Sequence, residues 1–439
     1  MKTSAKKATI LPYKLERVDP PLRGELAGIN YGLVADLGTT TLGFHLVDLK
    51  EGKLQKEFFL PNPGRAFGAD ILNRVRVIIE ETRKLEEIRG QLIDAINQGI
   101  YALTRNGFIS PEQILCVNVI GNPIMIHIFY GIDPIPLSRA PFQISFKGNV
   151  TQPVEVFGLS INPKGVLMTP PLVSSFIGSD FICGILSSIE MNFPRPFLFF
   201  DLGTNAEIAL VTHDRVFAAS AAAGPAFEDF DMPFNFELLP GVIKHLKFSP
   251  PSHIEIESEG PPTKILASAK IDAVGILREM GLLDKTGLLG GENLEGNRTE
   301  QFLNKDDKGR RYFQMPPNIK ITQEDIRNLQ LAKAAIKTAT ELLLESANLR
   351  ASQINAFLLA GTFGSSVFPS SAEKVGLLPP NSSRRAVPVG NSSGRGGIFY
   401  LLNREWRDIA LEISQKTDVL KLTRNPKFKD LFLKSIEFP

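Results

Sequence analysis

Two stretches of the chain place a carboxylate, a glycine and hydroxyl residues in one order: Ala35-Asp36-Leu37-Gly38-Thr39-Thr40-Thr41 and Asp201-Leu202-Gly203-Thr204-Asn205. A phosphate chain is held by backbone N–H groups that approach it closely. Glycine at Gly38 and Gly203 permits that approach, and also the dihedrals of a tight turn. The hydroxyls of Thr39, Thr40, Thr41 and Thr204 add donors, and Asn205 completes the second turn. Asp36 and Asp201 each stand at the end of an apolar run. There a carboxylate holds Mg²⁺ through water or orients an attacking nucleophile. Chemistry of this kind works by positioning and charge neutralisation. One Asp-x-Gly-Thr carries little information, because Asp and Gly punctuate turns everywhere. Two of them, each between apolar runs, point to a duplicated phosphate-binding hairpin. The Gly-Lys-Ser/Thr loop of P-loop enzymes is absent from the sequence.

The elements that must carry these residues follow from the hydrophobic pattern. Tyr31 to Ala35 is apolar and runs into Asp36; Leu42 to Val47 follows the turn, and Lys50-Glu51-Gly52-Lys53 turns again. This reads as strand, glycine turn, strand, turn, strand. From Ala69 to about Leu103 the pattern is helical, with a break expected near Gly90, and Ile114 to Ile120 is an apolar strand ending at Gly121-Asn122. The plan recurs in Phe197 to Phe200, Glu207 to Val211, a turn at Thr212-His213-Asp214, and Arg215 to Ala218. Thr322-Gln323-Glu324-Asp325 resembles a capping box and opens a helix to about Asn348. Ala356 to Ala360 is a further apolar strand, ending at Gly361-Thr362-Phe363-Gly364.

Each half therefore holds an Asp-Leu-Gly-Thr hairpin and a later apolar strand ending in a glycine turn. The expected fold is α/β, with two related lobes of the actin, sugar-kinase and Hsp70 ATPase type (ribonuclease H-like). Asp36 and Asp201 are expected to face each other across one nucleotide cleft. The expected organisation is an N-terminal tail over 1–30, a first lobe over 31–195, a second over 196–410 and a C-terminal tail over 411–439. A polar insertion near 285–317 interrupts the second lobe.

Composition narrows the function classes. Of 439 residues, 49 are basic and 47 acidic, giving a formal charge of +2. A nucleic-acid binder usually shows a basic excess, so none is expected. The opening Met1 to Lys7 is polar with no apolar region behind it, and no run approaches the roughly 18 apolar residues that span a membrane. The expectation is a cytoplasmic protein with no signal peptide and no membrane segment. Cys116 and Cys183 are the two cysteines, both in apolar stretches. An iron–sulfur cluster takes about four thiolates, so no such cluster is expected.

Other singled-out residues have plain readings. His127, in Met125 to Phe129, reads as a hydrogen-bonded core histidine, and His45 as facing outward on its hairpin. Glu228, after Gly224-Pro225, is a candidate catalytic carboxylate or a helix-start acid. Arg384-Arg385 reads as a solvated pair and Leu420 to Phe438 as a packing tail.

At these residues the chain resembles a known family, the C-terminal ATPase module of the RamA-like reductive activators of corrinoid-dependent enzymes. The resemblance runs from about Gly32 to the C-terminus. It rests on the two Asp-Leu-Gly-Thr segments, Phe67-Gly68-Ala69-Asp70, Gly131-Ile132-Asp133-Pro134, Ala222 to Glu228, Leu329 to Ile336 and Gly376-Leu377-Leu378-Pro379. It implies ATP and Mg²⁺ as cofactors. Asp36 and Asp201 would hold the metal, Glu228 would act with them, and Gly224, Gly361, Thr362, Phe363 and Gly364 would join the hairpins in holding the nucleotide. The implied activity couples ATP hydrolysis to reduction of cob(II)alamin to cob(I)alamin in the corrinoid protein of a methyltransferase system. The family's iron–sulfur domain is not matched, which makes a separate ferredoxin-type protein the implied electron donor; a homodimer is possible. The chain departs from the family where glycines give way to Ala269, Lys270 and Thr362, on the side expected to hold adenosine. Two other classes stay open: a non-hydrolysing scaffold of the same fold, and a small-molecule kinase of the same superfamily.

Overall fold

β1 (Tyr31–Leu37) is buried at every position but Asp36, as a strand covered on both faces must be. It turns back antiparallel into β2 (Thr41–Asp48), which pairs with β3 (Lys53–Pro61), an edge strand with its exposed residues at alternate positions over much of its length. The structure is a computed structural model that describes residues 30–439 except 69, 106–108, 204, 228–238, 250–252, 291–301 and 316–318.

After β3 come α1 (Ile71–Glu80) and α2 (Lys84–Thr104). The helical stretch breaks at 81–83 and not at Gly90, which lies within α2 with open space around it. The crossover returns the chain to β4 (Ile114–Gly121), buried throughout and parallel to β1. α3 (Pro123–Tyr130), α4 (Ile135–Ser138), β5 (Val150–Pro153), β6 (Val166–Thr169) and α5 (Ser179–Glu190) follow. The sheet order is β3-β2-β1-β4-β6-β5.

β7 (Phe197–Leu202), β8 (Asn205–Val211) and β9 (Val216–Ala222) repeat the hairpin meander. Next come β10 (Val242–Ile243), β11 (His245–Ser249), β12 (His253–Glu257), β13 (Lys264–Ile265) and α6 (Ala267–Glu279). The segment expected as a polar insertion contributes β14 (Leu303–Lys305) and β15 (Arg311–Met315), which pair with β16 (Ile319–Thr322) in one antiparallel sheet. Phe313 and Met315 alternate into the core there, which is the strand pattern that a charge-rich neighbourhood hides. α7 (Gln323–Ser346) opens on the expected capping box, with Thr322 Oγ1 accepting from Asp325 N.

β17 (Ala356–Ala360) lies parallel to β7. It leads to α8 (Gly361–Ser366), α9 (Pro369–Lys374), β18 (Ala386–Gly390), α10 (Ser392–Leu402), α11 (Arg404–Lys416), β19 (Thr417–Val419) and α12 (Phe428–Ile436). The expected C-terminal tail is therefore structured: it holds the end of α11, the edge strand β19 and α12. The second six-stranded sheet has the order β18-β17-β7-β8-β9-β19. Both sheets thus build an antiparallel meander with a parallel strand beside its first member.

By contact the chain divides into two compact units, Met1–Asn192 with Gly390–Thr417, and Phe193–Val389 with Asp418–Pro439. The division is discontinuous where sequence analysis drew continuous lobes. The cause within the first unit is α10, which packs on α5, β1 and β4. Among the described residues, no helix is long and apolar enough to cross a membrane.

Candidate functional site

In the first unit the turn between β1 and β2 is held from below. Asn62 Nδ2 donates to Gly38 O at 2.7 Å and Asn62 N to Thr40 O at 2.9 Å. Arg74, on α1 and fully buried, donates to Thr39 O and to Gly68 O. All three carbonyls of Gly38-Thr39-Thr40 are thereby turned onto protein donors. Carbonyls facing an anion would repel it; here a buried guanidinium lies under the turn instead. A Cβ at Gly38 would come 2.4 Å from Thr41 O, so only glycine closes the turn without displacing backbone. Thr39 Oγ1 accepts from Asn122 Nδ2 at 3.2 Å, and Asn122 also caps α3 by accepting from Met125 N.

Asp36 is half-buried beside Ile120 of β4 and Gly43 of β2. Its Oδ2 accepts from Ser393 Oγ at 2.6 Å, across 357 residues of sequence. Burial pushes the Asp36 carboxyl above its ordinary range, against the opposing pull of the Ser393 hydroxyl. His45 is not outward-facing as expected. It is 2% exposed, because Phe59 packs edge-on to it and α10 begins beside it.

In the second unit Asp201 occupies the corresponding place on β7, level with Glu207 of β8 and Ala360 of β17. Gly203 N donates to Asn205 O at 3.1 Å and closes the turn. Thr204 and Glu228 lie outside the described residues. A Cβ at Gly203 would meet only Asn205 O, at 3.6 Å, and one at Gly224 would meet nothing within 4 Å. Among the described residues, nothing crowds the backbone at either glycine. Gly361-Thr362-Phe363-Gly364 is not a free turn but the first turn of α8. Gly361 has φ +81°, and a Cβ on it would lie 3.0 Å from Asp201 Oδ1. The structure thus brings Gly361 directly to Asp201. Thr362 is exposed, whereas Phe363 is buried and stacks on Phe227 at 4.4 Å.

The segment expected as a drifted glycine turn is the start of α6. Ala267 and Ala269 are buried, and Lys270 Nζ bonds Asp325 Oδ1 at 2.8 Å. Lys270 therefore ties α6 to the cap of α7. The expected hydrogen bond of His127 is present, from its Nδ1 to Pro123 O at 2.7 Å, and both cysteines are buried free thiols.

Each turn by itself fits a phosphate group: both carry a carboxylate at the same strand position, the first has its carbonyls tied back, and the second has backbone that no described residue crowds. Mg²⁺ is usually bound by one or two carboxylates together with substrate phosphates, so each Asp suffices as a protein ligand. Among the described residues no group of three or more His, Cys, Asp or Glu forms a metal site of its own.

Asn62, Arg74, Asn391 and Ser393 were not singled out as site residues in the sequence. Asn62 before Pro63 and Asn391 before a run of small residues are cap signals, but their contacts to the turn and to His45 are long-range.

Residues 195–439 match the family described as the C-terminal domain of RACo, the ASKHA domain, and residues 31–192 match the RACo middle region. The corrinoid activation enzyme RamQ of Eubacterium limosum is 30% identical over 427 residues, covering 93% of this chain and 70% of that protein. The Co(II) methylated amine-specific corrinoid protein reductase of Methanosarcina barkeri is 24% identical over 439 residues, covering 93% and 77%. The solved structure of a reductive activator for corrinoid, iron–sulfur protein superposes with a TM-score of 0.82 at 29% identity, covering 95% of this chain and 67% of that one. With both of its regions matched and its hairpin sheet built twice, the chain belongs to the RACo family and has the two-lobed, actin- and sugar-kinase-like α/β fold.

Proposed function

We propose that the protein uses Mg-ATP to promote reductive reactivation of a corrinoid protein, returning cob(II)alamin to cob(I)alamin, with the electron supplied by a separate iron–sulfur protein. The observation that carries the reading is the paired hairpin: Asp36 and Asp201 at matching positions of matching sheets, each followed by Leu-Gly. Its setting is a chain 30% identical to a corrinoid activation enzyme.

Bound Mg-ATP supplies the free energy that a thermodynamically uphill electron transfer requires. The chain's own part is to bind and orient. Gly38 and Gly203 bring backbone to the phosphates, with Thr39, Thr40, Thr41, Thr204 and Asn205 as further donors. Asp36 in the first unit and Asp201 in the second would each offer a carboxylate to a hydrated Mg²⁺, and Glu228 would be the carboxylate that activates water. Gly224 and Gly361 to Gly364 complete the nucleotide site. Two buried cysteines are fewer than the roughly four thiolates a cluster takes, which supports an electron carrier other than these residues.

The deciding experiment is anaerobic. A corrinoid protein in the cob(II)alamin state and reduced ferredoxin are mixed with the chain, with and without Mg-ATP. ATP-dependent appearance of cob(I)alamin absorbance is expected, lost in Asp36→Ala and Asp201→Ala. Equal reduction without ATP would sink the reading. A second reading, a non-hydrolysing partner of corrinoid proteins, draws on the first turn of α6, where Ala269 and the Lys270–Asp325 pair fill the expected adenosine side. It predicts complex formation with the corrinoid protein that nucleotide does not alter.

A further inference from the structure

Asp36 is the end of a line of polar contacts that begins at the edge strand of its sheet. Glu57 Oε1, on β3, lies 2.7 Å from His45 Nδ1 on β2. His45 Nε2 lies 3.3 Å from Asn391 Nδ2, just before α10. Ser393 Oγ is 3.0 Å from Asn391 Oδ1 and 2.6 Å from Asp36 Oδ2. All five residues belong to one compact unit.

The direction of each bond follows from donor and acceptor chemistry. Asn391 caps α10: its Oδ1 accepts from Gly394 N at 2.9 Å. That fixes the amide, so its NH₂ faces His45. An NH₂ has only hydrogens to offer, so His45 Nε2 must present a lone pair. The proton of the neutral ring then sits on Nδ1 and is donated to the Glu57 carboxylate. Ser393 has a single hydroxyl proton. It goes to Asp36, the nearer and charged acceptor, because charge-assisted bonds are shorter and stronger. With His45 2% exposed, water does not compete freely for the ring.

We propose that Glu57, His45 and Asn391 are positioning residues for Asp36: they fix the start of α10 so that Ser393 holds Oδ2 and leaves Oδ1 for the metal-bound water of the nucleotide site. The proposal rests on the reading of Asp36 as part of that site. It adds four residues that the hairpin motif does not contain, one of them on an edge strand. The relay also explains why a histidine and a glutamate stand at paired positions of β2 and β3, His45 opposite Glu57. A buried imidazole needs both ring nitrogens satisfied, and this pair together with Asn391 does so.

The test uses the full chain labelled at histidine and aspartate, with Asn391→Ser, which keeps a good helix cap but cannot reach His45. In the wild type, nitrogen shifts should show His45 neutral with its proton on Nδ1. Asn391→Ser should move both the His45 Nε2 resonance and the Asp36 Cγ resonance, although Asn391 makes no hydrogen bond to Asp36. Mg-ATP affinity by calorimetry should fall about tenfold in Ser393→Ala and in Asn391→Ser, and return in Ser393→Thr, the range expected for one hydrogen bond to a charged group. A proton on Nε2, or an Asp36 resonance indifferent to Asn391→Ser, overturns the relay. Wild-type chain that fails to bind Mg-ATP while the Asp36 resonance moves leaves the relay standing and removes the nucleotide reading. Mg-ATP binding unchanged in Ser393→Ala removes the relay and leaves the nucleotide reading.

Discussion

At the scale of single residues, the site and the fold pull in opposite directions at Asp36. Burial raises the folded-state pKa of this carboxyl above its ordinary value of 3.8. A carboxyl raised on folding binds its proton more tightly in the folded chain. The penalty is therefore absent below the unfolded pKa and fully present once pH exceeds the folded one. Asp36→Asn removes the charge and keeps an oxygen for Ser393. Its melting temperature at neutral pH should exceed that of the wild type, and the gain should shrink as pH falls toward about 4. A lower melting temperature at pH 7 would show that the ionised carboxylate is a structural asset.

Lys333 behaves differently. It is 0% exposed on α7, donates to Glu437 O and lies 5.0 Å over the Phe438 ring. Burial, with Lys337 adding to it, brings its ammonium down to about 7 from 10.5. Above about pH 7 the unfolded chain binds more protons than the folded one, so stability rises with pH from there. Lys333→Met should flatten the rise in melting temperature between about pH 7 and 9. A variant whose difference from wild type is the same at every pH in that window would count against a titrating Lys333.

At the scale of elements, the parallel strand beside each hairpin does more than fill the sheet. β17 ends at Ala360, level with Asp201, and Gly361 turns the chain there with φ +81°. Gly361→Ala meets two obstacles: a left-handed backbone that L side chains rarely adopt, and Asp201 Oδ1 at 3.0 Å from the new Cβ. We expect a loss of about 1–3 kcal/mol in chemical denaturation, in keeping with strain at such a site, and a weaker response to Mg-ATP. Thr362→Ala on the same helix is exposed and serves as the control for stability alone. Equal stability of the two variants would show that Gly361 is not constrained. Strands and turns of this kind were legible in the sequence, because a run such as Ala356 to Ala360 is apolar without interruption and glycine follows it. The state of the glycine segment was not. Turn and helix start share the same residue types, and the packing of Phe363 on Phe227 is a long-range contact that no local pattern carries. Lys270 was read as a drifted contact for a like reason: its partner, Asp325, is 55 residues away. Arg384-Arg385 read as solvated, yet Arg385 bonds Ile354 O and lies 5.2 Å from the Phe357 ring, tying down a loop that no local pattern announces.

For the whole molecule, the order of the chain and the grouping of its core disagree, and that disagreement has a consequence for folding. The family regions are contiguous, 31–192 and 195–439. The first compact unit nevertheless takes Gly390–Thr417 from the far end of the second region. The borrowed helix α10 buries Ile398, Leu401 and Leu402 against Val34, Ile120 and Cys183. It approaches α5 so closely that a Cβ at Gly396 would lie 1.7 Å from Cys183 O, so no other residue fits there. A fragment of residues 31–192 would leave this face of β1 and β4 in water. Each large apolar side chain uncovered forfeits about 1.5–3 kcal/mol, against a net stability for a domain of only about 5–15 kcal/mol. The fragment is therefore expected to aggregate or to lack a cooperative melting transition. Joining residues 390–417 to it through a flexible linker should restore both solubility and a single transition, and Gly396→Val should abolish the rescue. The measurement is circular dichroism melting with size-exclusion chromatography. Cooperative, monomeric folding of 31–192 alone would mean that the far segment is not needed to complete the core, and that the family's sequence boundary is also a folding boundary.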